Sequence, residues 1–187
     1  MPPPAEVTAL YPRLLGACFA KLAAAVQRFH GLQGAWRIPG RCTVGGATHP
    51  LTRMLARLLG LPRASGEAPF EFDLVADADG ETWIRRFPDH VMRSRLCAAN
   101  DGRLAERLGP ARLHFRLAAE NGVLVMTLDR IRVFGLPWPR RAFPAVRACE
   151  RGDDARFHFD IEARFGRLGL LVAYHGHLDL DRAQALT

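Results

Sequence analysis

Phe157, Phe159, Ile161, Ala163 and Phe165 share one parity of the chain, and His158, Asp160, Glu162 and Arg164 share the other. A period of two is the signature of a strand with one face in a core and the other in water. The pattern recurs where Phe70, Phe72 and Leu74 alternate with Glu71 and Asp73, and where Leu113, Phe115 and Leu117 alternate with Arg112, His114 and Arg116. Segments of this kind must pair edge to edge and bury their common face, which constrains the fold far more than any single motif.

Turn chemistry separates the alternating runs. Asp77-Ala78-Asp79-Gly80, Glu120-Asn121-Gly122, Gly152-Asp153-Asp154 and Gly166-Arg167-Leu168-Gly169 each supply residues that tolerate reversed backbone. The reading predicts seven to nine antiparallel strands, beginning with a short bent one over 36–46. Leu104–Leu108 fits a helical turn or an irregular entry equally well. Pro137 and Pro139 break the run that ends at Phe134, because proline cannot donate to a central ladder.

Ahead of the strands the period is helical. Tyr11, Leu14, Leu15, Cys18, Leu22, Val26 and Phe29 predict one helix from about Ala9 to Phe29, with Thr8 as its cap and Pro12 in its first turn. Pro50 opens a second helix that Gly60-Leu61-Pro62 ends, with Leu51, Met54, Leu55, Leu58 and Leu59 on one side and Arg53 and Arg57 on the other. The expected organisation is a single domain over 1–187, with 1–8 disordered, 9–62 helical and 67–180 antiparallel β. The fold class is α+β: a large curved antiparallel sheet or half-open β-barrel, partly or fully closed, covered or capped by the two N-terminal helices.

At 187 residues, nearly half of them apolar, the chain can bury a core without disulfides or metal. Its net charge of +7 comes almost wholly from arginine, Lys21 being the only lysine, and the arginines are spread from Arg13 to Arg182 with acids between them. Diffuse basicity of this kind lacks the concentrated stripe of a nucleic-acid binder, so no nucleic-acid partner is expected. Cys18, Cys42, Cys97 and Cys149 form no Cys-x-x-Cys pair and read as reduced, partly buried residues. With no secretory signal and no apolar run of spanning length, the expectation is a cytoplasmic protein that is not integral to a membrane.

Several fragments, taken together, resemble a bacterial family catalogued as domain of unknown function 4166. They are Leu10-Tyr11-Pro12-Arg13-Leu14-Leu15-Gly16, Gly40-Arg41-Cys42-Thr43-Val44, Trp83-Ile84-Arg85-Arg86-Phe87, Glu106-Arg107-Leu108-Gly109-Pro110, Gly135-Leu136-Pro137-Trp138-Pro139, Phe157-His158-Phe159-Asp160-Ile161 and Tyr174-His175-Gly176-His177-Leu178. Such domains occur alone or behind oxidoreductase-like dinucleotide-binding domains. The resemblance therefore implies a possible role beside an NAD(P)-dependent partner, but no catalytic residue and no cofactor. His177 stands where similar sequences carry a large apolar residue.

Chemistry-bearing residues are few. Alternation puts Arg85 on the same face as Trp83 and Phe87; if that face is interior, a guanidinium enters an apolar space and needs a partner. Glu106 and Glu150 are the candidate partners, and an anionic ligand group is the competing one. Trp83, Arg85, Phe87, Ser94, Glu106 and Tyr174 are the candidate ligand-binding set. His175 and His177, two apart on a strand, are a weak metal pair to which His114 and His158 add ligands only if their strands are adjacent and their faces agree, and no metal is assigned. Ser65 and Ser94 lack a Gly-x-Ser-x-Gly elbow, the glycines form no dinucleotide or Walker loop, and Asp153, Asp154, Asp179 and Asp181 fall in turns. The sequence favours a non-catalytic module that binds a small apolar or amphipathic ligand, such as a lipid, in the concavity of its sheet. The alternatives are an accessory domain for an oxidoreductase-like partner, and an enzyme acting on a small acidic or lipid substrate through Arg85 and Glu106.

Overall fold

Alternation along Phe70–Leu74, Trp83–Phe87 and Phe157–Ala163 becomes one continuous inward face in the computed structural model, which describes residues 9–153 and 155–186. The proline-rich start, the proposed Thr8 cap and Asp154 lie outside the described residues. Twelve strands follow one another in antiparallel order: β1 (Gly34–Gly46), β2 (Ser65–Asp77), β3 (Gly80–Phe87), β4 (His90–Ala98), β5 (Leu104–Leu108), β6 (Ala111–Glu120), β7 (Val123–Val133), β8 (Leu136–Pro137), β9 (Ala145–Gly152), β10 (Arg156–Phe165), β11 (Gly169–Asp179) and β12 (Gln184–Ala185). Each long strand pairs with the next, β7 pairs with β9, and β11 returns to β1, so ten strands close into a barrel. The two-residue strands β8 and β12 are appendages on β7 and β1.

The barrel is closed where the sequence left a half-open sheet as the equal alternative. The seam runs from Gly40 opposite Leu178 to Gly46 opposite Val172, so β1 is a thirteen-residue strand that pairs on both sides, not the short element expected. Glycine makes this approach feasible. A Cβ at Gly40 would stand 2.0 Å from the His177 carbonyl oxygen, and one at Gly176 would stand 2.1 Å from that of Arg41. Leu104–Leu108, ambiguous in sequence, is strand β5, which raises the number of barrel strands to ten.

The N-terminal helices do not lie on the sheet. The expected long helix is broken into α1 (Leu10–Leu15), a 3₁₀ segment (Gly16–Lys21) and α2 (Ala24–His30). Gly16 has φ near 54°, which no continuous helix accommodates, and Leu22 and Ala23 are extended. Folding back in this way lets α1 and α2 plug one end of the barrel, with Tyr11, Val26, Phe29 and His30 fully buried. Aromatic contacts seat the plug, Phe29 lying 4.2 Å from Phe157 and Tyr11 3.6 Å from His30 between ring centroids. The main chain secures it as well, Ala23 N–H donating to the Gly122 carbonyl.

The second helix, α3 (Pro50–Leu58), sits at the opposite end, where the Gly60 carbonyl meets His90 Nε2 and the backbone of Leu58 approaches Gly109. Its small residues Thr52 and Ala56 are buried, Leu55 and Leu59 pack against the core, and Leu51, Met54 and Leu58 are largely exposed, so the apolar side of the helix is divided between barrel and surroundings. On the barrel's outer wall, arginines meet acids across strands: Asp73 accepts from Arg37 and Arg86, and Asp129 pairs with Arg103 and Arg140. Among the described residues the cysteines are all free; Cys18 is exposed rather than partly buried, and burial pushes the Cys42 thiol up to about 12. No helix among the described residues is long and apolar enough to cross a membrane.

Candidate functional site

Antiparallel strands that alternate inward and outward must fill or enclose their common interior, and ten strands make it too wide for side chains to fill. A cavity of about 440 Å³ remains, within the range of small-molecule sites. Tyr11 and Phe29 of the plug line it at one end with Trp83, Arg85, Glu106, Glu150 and Tyr174. Above them the wall is hydrocarbon from Leu108, Leu113, Ile131, Val133, Val146 and Leu171, and at the far end it reaches Leu58, Phe134 and Trp138. The interior is therefore graded, with a polar floor beneath an apolar shaft.

Parity on β3 turns Glu81, Trp83, Arg85 and Phe87 inward together. Arg85 donates through Nη1 to the Ser94 hydroxyl at 3.0 Å and through Nη2 to Glu106 Oε1 at 3.4 Å, and its guanidinium carbon lies 4.9 Å from the centre of the Trp83 ring. Burial opposes the charge, but the facing Tyr174 and Glu106 outweigh it and hold the guanidinium above its ordinary range. Two of its five N–H groups are engaged, which leaves donors available to the cavity. Of the six residues proposed from sequence, Trp83, Arg85, Glu106 and Tyr174 line the cavity. Ser94 is buried behind Arg85, and Phe87 packs between Phe70 and Tyr174. Glu150 is not the partner of Arg85, because it lies 2.6 Å from His30 Nε2.

Sequence reasoning missed Tyr11, His30 and Glu81, and named Glu150 only as a partner for Arg85. All four are buried at the plugged end, and Glu81 accepts from the Trp83 indole N–H at 2.8 Å. The Tyr11 hydroxyl and His30 Nδ1 have no hydrogen-bond partner. The Tyr11 ring lines the cavity, while its unpaired hydroxyl is buried behind the wall with no surface exposed to that space. Burial, reinforced by the Glu150 carboxylate, holds the Tyr11 phenol far above its ordinary range, and burial pushes Tyr174 up to about 12, so both remain protonated donors at physiological pH.

Burial also raises the Glu81 carboxyl above its usual range. The folded protein then binds this proton more tightly than the unfolded chain, so stability is lost as pH rises through the folded-state value. Replacing Glu81 by Gln keeps an acceptor for Trp83 and removes the ionisation. The variant is expected to be more stable than the parent at neutral and higher pH, and equal to it below the ordinary carboxylate range of about 4. Urea unfolding across a pH series measures the difference.

The histidines occupy another place. His158 and His177 are cross-strand neighbours with ring centroids 5.8 Å apart, beside a shallow outer hollow that also touches His175 and Glu67. His158 is held by Asp153 at 2.9 Å, while His114 is on β6, paired with Ala105 and Arg130 and away from them. Among the described residues no group of three or more metal-ligating side chains forms.

Comparison with known proteins is sparse. No curated protein matches the chain. Among solved structures, that of Rv2717c from M. tuberculosis aligns at 14% identity with a TM-score of 0.42, covering 84% of this chain and 98% of that one. A family model described as "Domain of unknown function (DUF4166)" matches residues 22–178, from the extended link before α2 to the end of the seam strand β11, and the chain belongs to that family.

Proposed function

We propose that this domain binds one small amphipathic molecule inside its barrel, apolar body in the shaft and a neutral polar end on the floor. The observation that carries the reading is the cavity itself, apolar along its shaft and lined at the plugged end by Arg85, which has N–H groups to spare. Charge balance narrows the class. Arg85 already faces Glu106, and Glu150 and Glu81 stand nearby, so an anionic end would meet carboxylates; a hydroxyl, ester or amide would not. Long-chain alcohols, esters and related neutral lipids fit this description.

Uptake of N-phenyl-naphthylamine, a neutral apolar fluorophore, followed by displacement with such alcohols, tests the reading. Met126 lines the cavity, and Met126→Trp reduces its volume without replacing any of its polar residues. That variant is expected to weaken uptake by about tenfold or more while the protein stays folded. A folded protein that takes up no probe, or a Met126→Trp variant that binds as well as the parent, overturns the reading.

A further inference from the structure

The connections at the two barrel ends differ in kind. At the plugged end, acids and cations alternate, with Asp79, Asp101, Asp153 and Asp181 among Arg13, Lys21, Arg28, Arg103 and Arg182. At the open end, α3 with its flanks and the turns after β3, β5, β7 and β10 carry Arg53, Arg57, Arg63, Arg140, Arg141 and Arg167 against the single acid Asp89. Arg140 is tied to Asp129, but Arg57, Arg63, Arg141 and Arg167 enter none of the ion pairs among the described residues. The basicity that looked diffuse along the sequence is thus concentrated, unneutralised, on one face.

The same face carries the exposed hydrocarbon. Met54 is 64% exposed, Leu51 53%, Phe134 74% and Leu136 72%; of the large apolar side chains exposed among the described residues, all but Leu186 lie at this end. Solvent-facing leucine and phenylalanine clustered within a basic rim is the composition of a surface that rests in a bilayer interface, not of a solvated loop. Leu58, Phe134 and Trp138 belong both to this rim and to the cavity wall, so the apolar surface runs from the outside into the shaft.

We infer that the open end docks onto an anionic lipid bilayer, α3 and the β7–β9 connection entering the interface while the arginines meet lipid phosphates, and that a lipid passes between bilayer and shaft without crossing water. The inference deepens the ligand-binding reading and rests on it for its purpose. Charge selects this occupant over a second copy of the chain, because two such rims face to face would bring two sets of unpaired arginines together. An anionic surface gains from each of them, and the gain is screened by salt.

Flotation with vesicles of phosphatidylcholine, and of phosphatidylcholine with about one-third phosphatidylglycerol, tests it. The full chain is expected to float with the anionic vesicles, not with the neutral ones, and to be released at about 0.5 M salt. Neither Met54→Ser/Leu136→Ser nor Arg141→Glu/Arg167→Glu alters the cavity wall, and each double variant should reduce the bound fraction by about tenfold. All should still take up N-phenyl-naphthylamine from solution, whereas Met126→Trp should lose uptake and still float, so the two readings fail separately. Equal flotation with both vesicles, no flotation of folded protein, or indifference to both rim variants overturns the docking. So does a dimer that the Met54→Ser/Leu136→Ser change dissolves, or saturable capture of an acidic protein with no vesicle binding.

Discussion

Arg85→Met is expected to destabilise the domain by about 3 kcal/mol, the lower end of the range for breaking a buried ion pair. The cost arises chiefly from what is left behind. Methionine restores most of the volume and still packs on Trp83, but Glu106 loses its cation and the Ser94 hydroxyl loses a donor. Glu106 retains 16% of its side-chain surface and can take up a proton, which places the cost at the low end. Arg85→Met/Glu106→Gln should therefore recover most of the loss, since an interior without either charge has no unpaired ion to bury. Denaturant unfolding of the parent, the two single variants and the double variant gives the coupling directly. If the double variant is as unstable as Arg85→Met, the guanidinium is held by something other than Glu106.

A methyl group at Gly176 is expected to cost at least about 3 kcal/mol, at the upper end of overpacking penalties, because the clash is with backbone and not with a side chain that can rotate away. Its Cβ would lie 2.1 Å from the Arg41 carbonyl oxygen and 2.9 Å from Cys42 Cα, both in the partner strand of the seam. Relief requires β1 and β11 to separate, which opens the barrel along its length. Gly66→Ala is the matching control: it also replaces a strand glycine, but its Cβ meets open space, so the change should stay within about 1 kcal/mol of the parent. Thermal unfolding of the two variants decides whether the seam, and not glycine loss in general, sets the effect.

How much of this was legible depends on the range of the interaction concerned. The alternation of β2, β3, β6 and β10 followed from parity, which is local, and so did the common side of Trp83, Arg85 and Phe87, but that this side of β3 is the interior one comes from the structure. Closure did not follow, since Gly40 and Leu178 lie near opposite ends of the chain and nothing in either neighbourhood announces the other. The same limit explains the partner of Arg85. Glu106 and Glu150 were equivalent candidates until the strand order placed β5 next to β4 and set Glu150 against the plug.

The helices misled for a different reason. The apolar period from Tyr11 to Phe29 continues through the bend at Gly16, so it reports a buried face without revealing that the face is folded double and inserted into the barrel end. Tyr11 and His30 consequently read as ordinary helix residues and were missed as parts of the floor. In α3 the apolar stripe is legible but its division is not: Leu55 and Leu59 pack against the core beside the buried Thr52 and Ala56, leaving Leu51 and Met54 for whatever covers the open end.

The β1–β11 seam has a consequence for how the molecule is made. Neighbouring strands of the meander can zip as soon as both leave the ribosome, but β1 waits with one edge bare until β11, the last strand of the ring, has been synthesised. Ring closure is then a late, high-contact-order event, slow by comparison with hairpin formation and exposed until it happens to pairing with other nascent chains. Once it is complete, β1 and β11 no longer offer bare edges to each other's neighbours, and the same seam that delays assembly removes its two longest open edges from sheet-to-sheet aggregation.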